Sequence, residues 1–381
     1  MRKSFVIITL GILLCFLGCH KDPQPNNPNN PPIEPVESTL QYGNYIILTQ
    51  PSGQRWLFYV LPSGQAMLCI DDYPEANFTA NNEYKGELCI PTSFKHEGVE
   101  HTVTRIDGSI YTKCEELTSI IIPNTVTCID QGAFSGCLAL SKVQFQPTSN
   151  LDSIMYDAFS ACPNLQTIQF PNSLKYIGEY AFYESGLKEL SFSNKVTIDR
   201  SAFMFCSELE SVSLPEGMEA VSSLAFCHCT KLATVDLPQS IKVIEEGAFS
   251  DDPLTSITLP DSLVRIECNA FCNTAISSIE FPKTLKKLSG FSNCLGLNEI
   301  TIPNSVQTLD FSAFSYCSNL KTVTCLATVP PRFTAQNVFE GTPLTTIYVP
   351  SESLDSYIQT PSDTLDFNGW SLFANIIKPL P

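Results

Sequence analysis

Apolar residues recur along most of this chain with a period of about 23 residues. An Ala-Phe pair marks each period, beginning at Ala133, Ala158, Ala181, Ala202, Ala225, Ala248, Ala270 and Ala313. Gly290-Phe291 and Val338-Phe339 occupy the same position, and Tyr111 takes the place of the phenylalanine in an earlier, degenerate copy. A period of this length indicates a repeat solenoid, in which each unit packs against the next.

Each period contains one short strand, and in eight of the periods a proline ends it. In one copy, Val212 and Leu214 alternate with polar residues and Pro215 follows. The alternation predicts a half-buried β-strand, and proline ends its pairing because it has no amide proton. The return after the proline directs Val or Ile, Ala and Phe inward. The sequence therefore predicts about eleven 23-residue units, with one parallel β-sheet and a buried ladder of phenylalanines.

A cysteine most often stands three residues after the phenylalanine, at a position that we call the cysteine slot. It holds Cys114, Cys137, Cys162, Cys206, Cys229, Cys294 and Cys317, and elsewhere Ser185, Asp252, Thr274 and Thr342. A free cysteine behaves as a small hydrophobic residue, which suits a narrow turn. Disulfides between neighbouring coils are the alternative, because equivalent Cα atoms would lie within bonding range. Pairing would strand one cysteine of the first three, so free thiols are favoured.

This unit resembles the leucine-rich repeats of the BspA-like family of bacterial surface lipoproteins, over about residues 84–381. The segment Gly86–Pro91 resembles the lead-in of that family, and Ile347–Pro350 with Trp370 resembles its C-terminal cap. The resemblance implies a right-handed leucine-rich-repeat coil. It also implies adhesion to proteins of a host or a neighbouring cell.

Caps are expected at both ends, because a terminal coil would otherwise expose its core and an open sheet edge. We expect a β-rich N-terminal cap at residues 39–105, the solenoid at 106–350 and a small C-terminal cap at 351–381. The apolar segments Tyr45–Leu48 and Trp56–Leu61 predict β-hairpins within the first cap.

The N-terminus predicts an export signal followed by a tether. A positively charged start precedes an apolar run, Phe5–Leu17, that is too short to span a bilayer and suits a signal peptide. The following Gly-Cys resembles a bacterial lipobox, although Phe16 replaces its usual leucine. We expect a lipoprotein signal peptide at residues 1–18, lipid attachment at Cys19 and a Pro/Asn-rich tether at 19–38. Simple secretion, with cleavage but no lipid, is the alternative.

The charge excludes one class of partner. Lys and Arg number 22 against 39 Asp and Glu, which gives a formal net charge of −17. Such a chain has no basic surface to neutralise phosphates, so it is not a nucleic-acid-binding protein. We expect an exported, monomeric outer-membrane lipoprotein that faces the cell exterior and contacts the membrane only through its lipid.

Candidate chemistry is sparse. The sequence contains no Gly-x-Ser-x-Gly, Walker, Gly-x-Gly-x-x-Gly or His-Glu-x-x-His motif, so we expect neither an enzyme nor a cofactor. The segment Cys227–Cys229 is the one metal-like cluster, but its two cysteines would point to opposite sides of an extended chain, and no second cluster lies one coil away. No metal site is therefore predicted, and the acidic pair Asp251-Asp252 predicts a solvated turn.

The remaining candidate is an exposed surface. The outward position of each strand forms a row that we call the outward face: Gln144, Gln169, Ser191, Ser213, Asp236, Thr258, Glu280, Thr301, Thr324 and Tyr348. Small hydroxyl residues suit any exposed sheet, and aromatic residues, the usual centres of interfaces, are nearly absent from this row. The leading hypothesis is a non-catalytic protein-binding or adhesion module. The alternative is glycan capture for polysaccharide uptake, which calls for an aromatic platform such as one around Trp56.

Overall fold

The computed structural model of the protein describes residues 38–49, 54–70, 74, 77, 79–108, 114–359 and 369–381. The predicted signal peptide, Cys19 and the tether through residue 37 lie outside the described residues, as does Tyr111.

An antiparallel sheet begins the described chain. Its strands are β1 (Ser38–Tyr42), β2 (Tyr45–Thr49), β3 (Arg55–Val60) and β4 (Ala66–Ile70), and they pair in that order. The short helix α1 (Ala80–Glu83) and strands β5 (Gly86–Cys89), β6 (Ser93–His96) and β7 (Val99–Gly108) follow. Strand β7 pairs antiparallel with β6 and parallel with β4, so it joins the predicted hairpins to the repeats.

The predicted strands form the first ladder of parallel pairs. It consists of β8 (Leu117–Ile122), β10 (Lys142–Phe145), β13 (Glu189–Ser191), β15 (Ser211–Ser213), β17 (Thr234–Asp236), β21 (Glu299–Ile302), β23 (Thr322–Cys325) and β25 (Thr346–Val349). Strand β5 pairs with β8 and extends the ladder toward the N-terminus. The ladder is interrupted around Ile168, which forms a single bridge with Val143, and at residues 254–260 and 274–282, where the chain forms no regular strand.

A second ladder lies on the return side of each coil, and the prediction of one sheet did not include it. Its two-residue strands are β9 (Cys128–Ile129), β11 (Ser153–Ile154), β12 (Tyr176–Ile177), β14 (Thr197–Ile198), β16 (Ala220–Val221), β18 (Val243–Ile244), β19 (Arg265–Ile266), β20 (Lys287–Leu288), β22 (Thr308–Leu309) and β24 (Arg332–Phe333). Each pairs in parallel with its neighbour, apart from one break between β14 and β16. Two residues are too few for alternation to be visible in the sequence. The predicted solenoid is confirmed, with about ten turns and two strand ladders.

The phenylalanines form the predicted core ladder. Nine successive ring pairs, from Phe134–Phe159 to Phe314–Phe339, stack with centroids 5.1 to 5.7 Å apart. The rings are buried, as are the alanines beside them. Gly290 replaces one alanine at φ 95°, where an added Cβ would lie 2.7 Å from the Glu267 carbonyl oxygen. Glycine is therefore required at that point of close approach.

The turns around eight of the ten phenylalanines contain two left-handed residues, one just before the alanine and one two positions after the phenylalanine. At Phe291 the first is Gly290 itself, and at Phe339 only the second, Gly341, is left-handed. The second kind includes Phe205, His228, Asp251, Asn273 and Asn293, with φ between 57° and 65°. Asn and Asp tolerate this conformation better than an aromatic residue does. The amides of these residues donate to the next coil, for example from His228 N–H to the Ser250 carbonyl at 2.9 Å. Backbone hydrogen bonds between successive coils therefore hold these left-handed residues in place.

A small cap closes the C-terminal end. It contains a 3₁₀ turn (Ser351–Ser353), helix α2 (Leu354–Ile358), a second 3₁₀ turn (Gly369–Phe373) and strand β26 (Ile377–Pro379), which pairs in parallel with β25. The Trp370 ring lies 6.1 Å from Phe339, the last ring of the core ladder, and its indole N–H donates to the Pro331 carbonyl at 2.8 Å. Tyr357 and Trp370 are fully buried, so the cap covers the end of the core as expected.

Candidate functional site

The outward face lies on the solvent side of the first ladder. Eight of its ten residues, from Gln144 to Thr301, are exposed, and Thr324 and Tyr348 are half-buried. The register places neighbours side by side: Ser213 lies opposite both Ser191 and Asp236, and Thr324 lies opposite both Thr301 and Tyr348. The face therefore presents one polar side chain per coil.

Within the described part of the chain, none of these ten side chains forms a hydrogen bond or ion pair with another protein group. Hydroxyl, amide and carboxylate groups each offer two or more bonding positions. The outward face thus keeps its full capacity for hydrogen bonds to a partner.

The outer edge of the second ladder differs, because its charges are largely paired. Arg105 forms a bidentate pair with Asp130, and Lys287 Nζ lies 2.7 Å from Glu267 and 2.6 Å from Asp310. Burial acts to raise the pKa of Asp310, but hydrogen bonds from Lys287, from Thr334 and from the Phe311 amide outweigh it and lower that pKa. These groups bind each other and so have less capacity for an outside partner.

The cysteine slot is built for protonated thiols. The Sγ atoms of Cys162, Cys206, Cys229, Cys294 and Cys317 each donate to the carbonyl of the phenylalanine in the preceding coil, at 3.0 to 3.4 Å. The slot cysteines Cys137, Cys162, Cys206, Cys229, Cys294 and Cys317 are not in disulfides. Burial raises the pKa of the Cys206 and Cys294 thiols to about 12 and that of Cys317 to about 11. These thiols are core groups that serve as hydrogen-bond donors, and they lack the lowered pKa of a nucleophile.

The turn that follows the slot residue occurs in two lengths, which we call long and short. Seven long turns read Cys-x-x-Leu, and in each the leucine amide donates to the cysteine carbonyl. Four short turns, Ser185–Leu187, Asp252–Leu254, Thr274–Ile276 and Thr342–Leu344, contain one residue fewer. In two of these, the slot hydroxyl donates within its own coil: Thr274 Oγ1 and Thr342 Oγ1 donate to the carbonyls of Phe271 and Phe339 at 2.9 and 2.7 Å.

A groove opens where two short turns are adjacent. It has a volume of about 540 Å³ and is bounded by the short turns at Asp252 and Thr274 and by residues of the flanking long turns, Thr230 and Leu295. Asn293 Nδ2 donates to Asn273 Oδ1, and Asn273 Nδ2 donates to Asp251 Oδ1, both at 2.6 Å. These three side chains form a polar border along the groove.

Asp252 lies beneath this border with 1% of its surface exposed. Its Oδ1 accepts a hydrogen bond from the Cys229 amide at 2.8 Å, and its Oδ2 has no hydrogen-bond partner. Burial raises the pKa of Asp252 well above the usual range, although the bond from Cys229 opposes this shift. The prediction of a solvated turn is wrong for Asp252, because Asp252 occupies the slot, where Ser185, Thr274 and the cysteines are buried in the core as well.

These repeats match a known family. The profile of the BspA-type leucine-rich repeat region matches residues 91–198, 144–253 and 242–360, in six copies. The chain belongs to this family. It is similar to a crystal structure of a leucine-rich repeat protein from Bacteroides ovatus ATCC 8483, with a TM-score of 0.59 and 24% identity over 80% of this chain and 82% of that one. It also matches a leucine-rich cell surface protein from Faecalibacterium prausnitzii A2-165, with a TM-score of 0.44 and 21% identity over 90% of this chain and 94% of that one. No curated protein matches the chain.

Trp56 of this BspA-type protein does not itself form the aromatic platform that glycan capture calls for. It is 3% exposed, and its ring packs against Phe58 and Tyr84 at 6.2 and 6.0 Å. Its strand directs Trp56 into the core of the cap.

The histidines His101 and His228, which could act as bases, lie in different parts of the chain. His101 Nδ1 is 2.9 Å from the Gly64 carbonyl oxygen, while His228 lies among the central repeats, beside Asp251. Among the described residues, no helix has the length and apolar character needed to cross a membrane.

Sequence reasoning missed the short turns and their groove. The spacing that marks them is nevertheless visible in the sequence, because the next leucine or isoleucine follows the slot by two residues in a short turn and by three in a long one.

Proposed function

We propose that this BspA-type protein is a non-catalytic surface lipoprotein that recognises a protein ligand on a host or neighbouring cell through its outward face. The observation that supports this function most is the row of ten polar side chains without internal partners. A protein partner can engage several coils at once, because equivalent residues recur about 4.8 Å apart along a parallel ladder.

A protein ligand fits this surface better than a glycan does. Protein interfaces use dispersed hydrogen bonds, about one per 100–200 Å². Glycan capture would instead call for aromatic platforms. The outward face carries one aromatic residue, the half-buried Tyr348, and Trp56 is buried.

The proposed location rests on the N-terminus. Export by the signal peptide of residues 1–18, a lipid on Cys19 and the tether to residue 38 would hold a monomeric solenoid at the outer face of the outer membrane. Cys19 lies outside the described residues, so the sequence alone supports this step. Incorporation of radiolabelled palmitate tests it, and Cys19→Ala should abolish both the label and the membrane association.

Binding to immobilised extracellular-matrix proteins and polysaccharides tests the recognition step. The informative variant replaces Ser213, Asp236 and Thr258 by lysine, because these exposed residues stand in three successive coils. Its control places the same added charge elsewhere, by Thr197→Lys, Glu219→Lys and Gln239→Lys, also at exposed positions. We expect saturable binding to a matrix protein that the first variant weakens at least 10-fold and the control retains. Saturable binding to a polysaccharide alone, or equal loss in both variants, contradicts the proposal.

A further inference from the structure

Three potential metal ligands from two adjacent coils meet at Asp251, one residue of the polar border of the groove. They are Cys227, His228 and Asp251, and their ligand atoms all lie within 4.8 Å of one another. This set differs from the Cys227–Cys229 cluster of the sequence, because Asp251 of the next coil takes the place of Cys229. Cys229 is directed into the core, where its thiol donates to the Phe203 carbonyl.

We propose that Cys227, His228 and Asp251 form a binding site for a divalent transition-metal ion such as Zn²⁺. Thiolate, imidazole and carboxylate together suit zinc, whereas calcium and magnesium take oxygen ligands. Three protein ligands leave one position of a tetrahedral ion open to water or to a group of a partner.

The separations suit such an ion after a small adjustment. His228 Nε2 lies 3.5 Å from Asp251 Oδ2. Two ligands that bind zinc at about 2.0–2.1 Å in tetrahedral geometry are about 3.3–3.4 Å apart. The nitrogen and oxygen are therefore already close to the distance that a shared ion requires.

The ligands are also held in position. His228 and Asp251 occupy equivalent left-handed positions in successive coils, and each amide donates to a carbonyl of the next coil. The His228 ring stacks on Phe205 with centroids 4.6 Å apart and planes 4° from parallel.

Two further side chains orient the carboxylate. Ser250 Oγ donates to Asp251 Oδ2 at 2.7 Å, and Asn273 Nδ2 donates to Asp251 Oδ1 at 2.6 Å. Outer-shell partners of this kind fix the ligands of metal sites. The arrangement therefore provides three potential ligands and the hydrogen bonds that orient the Asp251 carboxylate.

Burial and access both suit the site. Cys227 is 4% exposed, whereas His228 and Asp251 are half-buried, so an ion can enter from the solvent side.

Cobalt titration tests this site, because a cobalt–thiolate bond gives a charge-transfer absorption that an adventitious surface ion does not. The purified full-length chain is reduced, freed of metal with a chelator and titrated with Co²⁺ alone and then with Zn²⁺. We expect one Co²⁺ per chain with the charge-transfer band, and displacement of that band by Zn²⁺.

Matched variants assign the ligands. Cys227→Ser should remove the band, whereas Cys268→Ser, a change at a partly exposed cysteine outside the cluster, should keep it. His228→Gly retains a residue that accepts the left-handed backbone, and Asp251→Asn introduces the residue found at the equivalent positions 273 and 293. Each of these should weaken Co²⁺ binding at least 10-fold with an unchanged circular dichroism spectrum.

Three results would overturn the site. These are the absence of a charge-transfer band in the parent chain, a band that persists in Cys227→Ser, and unchanged Co²⁺ affinity in folded His228→Gly and Asp251→Asn. The last result keeps the test decisive if Cys227→Ser fails to fold.

Discussion

The long and short turns of this solenoid hold the same core by different bonds. In the seven long turns, a cysteine fills the slot, its thiol donates across to the preceding coil in the five described above, and a backbone bond closes Cys-x-x-Leu. In the four short turns, that backbone bond is lost with the missing residue, and an oxygen-bearing side chain stands in the slot. The slot residue and the turn length therefore change together.

The difference teaches that the slot cysteines serve the structure of the turn and not a chemical site. A thiol is small enough for the slot, and it donates to a carbonyl that already accepts a backbone amide. In two of the short turns, the slot hydroxyl donates instead to the phenylalanine carbonyl of its own coil. Asp252 is the exception, because an ionisable carboxylate occupies the slot there with one oxygen unpaired.

Shortening a long turn should cause the largest decrease in the free energy of unfolding. Deletion of Glu208 removes the bond from the Leu209 amide to the Cys206 carbonyl and displaces the buried Leu209. Loss of one buried leucine costs about 2–5 kcal/mol, so we expect a decrease of that size in the free energy of unfolding, measured with urea.

The control for this deletion is Glu208→Ala, which keeps the turn length. It loses an exposed pair with Lys231, and such pairs contribute about 0–1 kcal/mol. A deletion no more destabilising than this substitution would show that turn length does not matter. Cys206→Thr added to the deletion should recover part of the loss, because it recreates a short turn.

Exchanging the slot residues of two short turns should cause the next largest changes in stability. The two substitutions should change it in opposite directions. Asp252→Thr replaces a buried, half-satisfied carboxylate by the residue found at Thr274, whose hydroxyl bonds to its own coil. An unsatisfied buried polar group costs about 1–3 kcal/mol, so we expect stabilisation of that order. Thr274→Asp should destabilise the protein by a similar amount. Thermal unfolding at neutral pH in the presence of a chelator measures both, and a destabilised Asp252→Thr would contradict the comparison.

Removing one slot thiol should give a smaller loss. Cys206→Ala deletes the donor to the Phe182 carbonyl and leaves a small void, so we expect a decrease of about 1–2 kcal/mol in the free energy of unfolding. The same substitution at the partly exposed Cys268 lies outside the slot and should change stability by about 0.5 kcal/mol or less. Equal effects at the two positions would mean that the slot bond contributes nothing.

The sequence predicted the parts of this fold that repeat with a strong period. The stacked phenylalanines, the slot thiols and the exposed outward face follow from residue type and spacing alone, because each recurs in most units. The second ladder was not predicted, since its strands are two residues long and show no alternation. Whether Trp56 lies at the surface could not be predicted, because a strand pattern does not say which of its two faces is buried, and only packing against Phe58 and Tyr84 decides that. Asp252 was misplaced because acidic pairs are usually solvated, although its spacing to Leu254 already marked a short turn.

The rate of thiol alkylation should distinguish the slot cysteines from other cysteines, without a substitution that changes stability. Because the pKa of Cys206 and Cys294 is raised to about 12 by burial, almost no thiolate exists at pH 8, and the folded protein also excludes the reagent. Iodoacetamide followed by mass spectrometry should modify Cys268 well before these two cysteines, and all three should react alike in denaturant. The rate at the slot should increase with pH as long as the fold persists, because the reactive form is the deprotonated one. Rapid labelling of Cys206 in the folded chain at pH 8 would mean that the slot opens, and the long turn would then lack the rigidity that its two bonds imply.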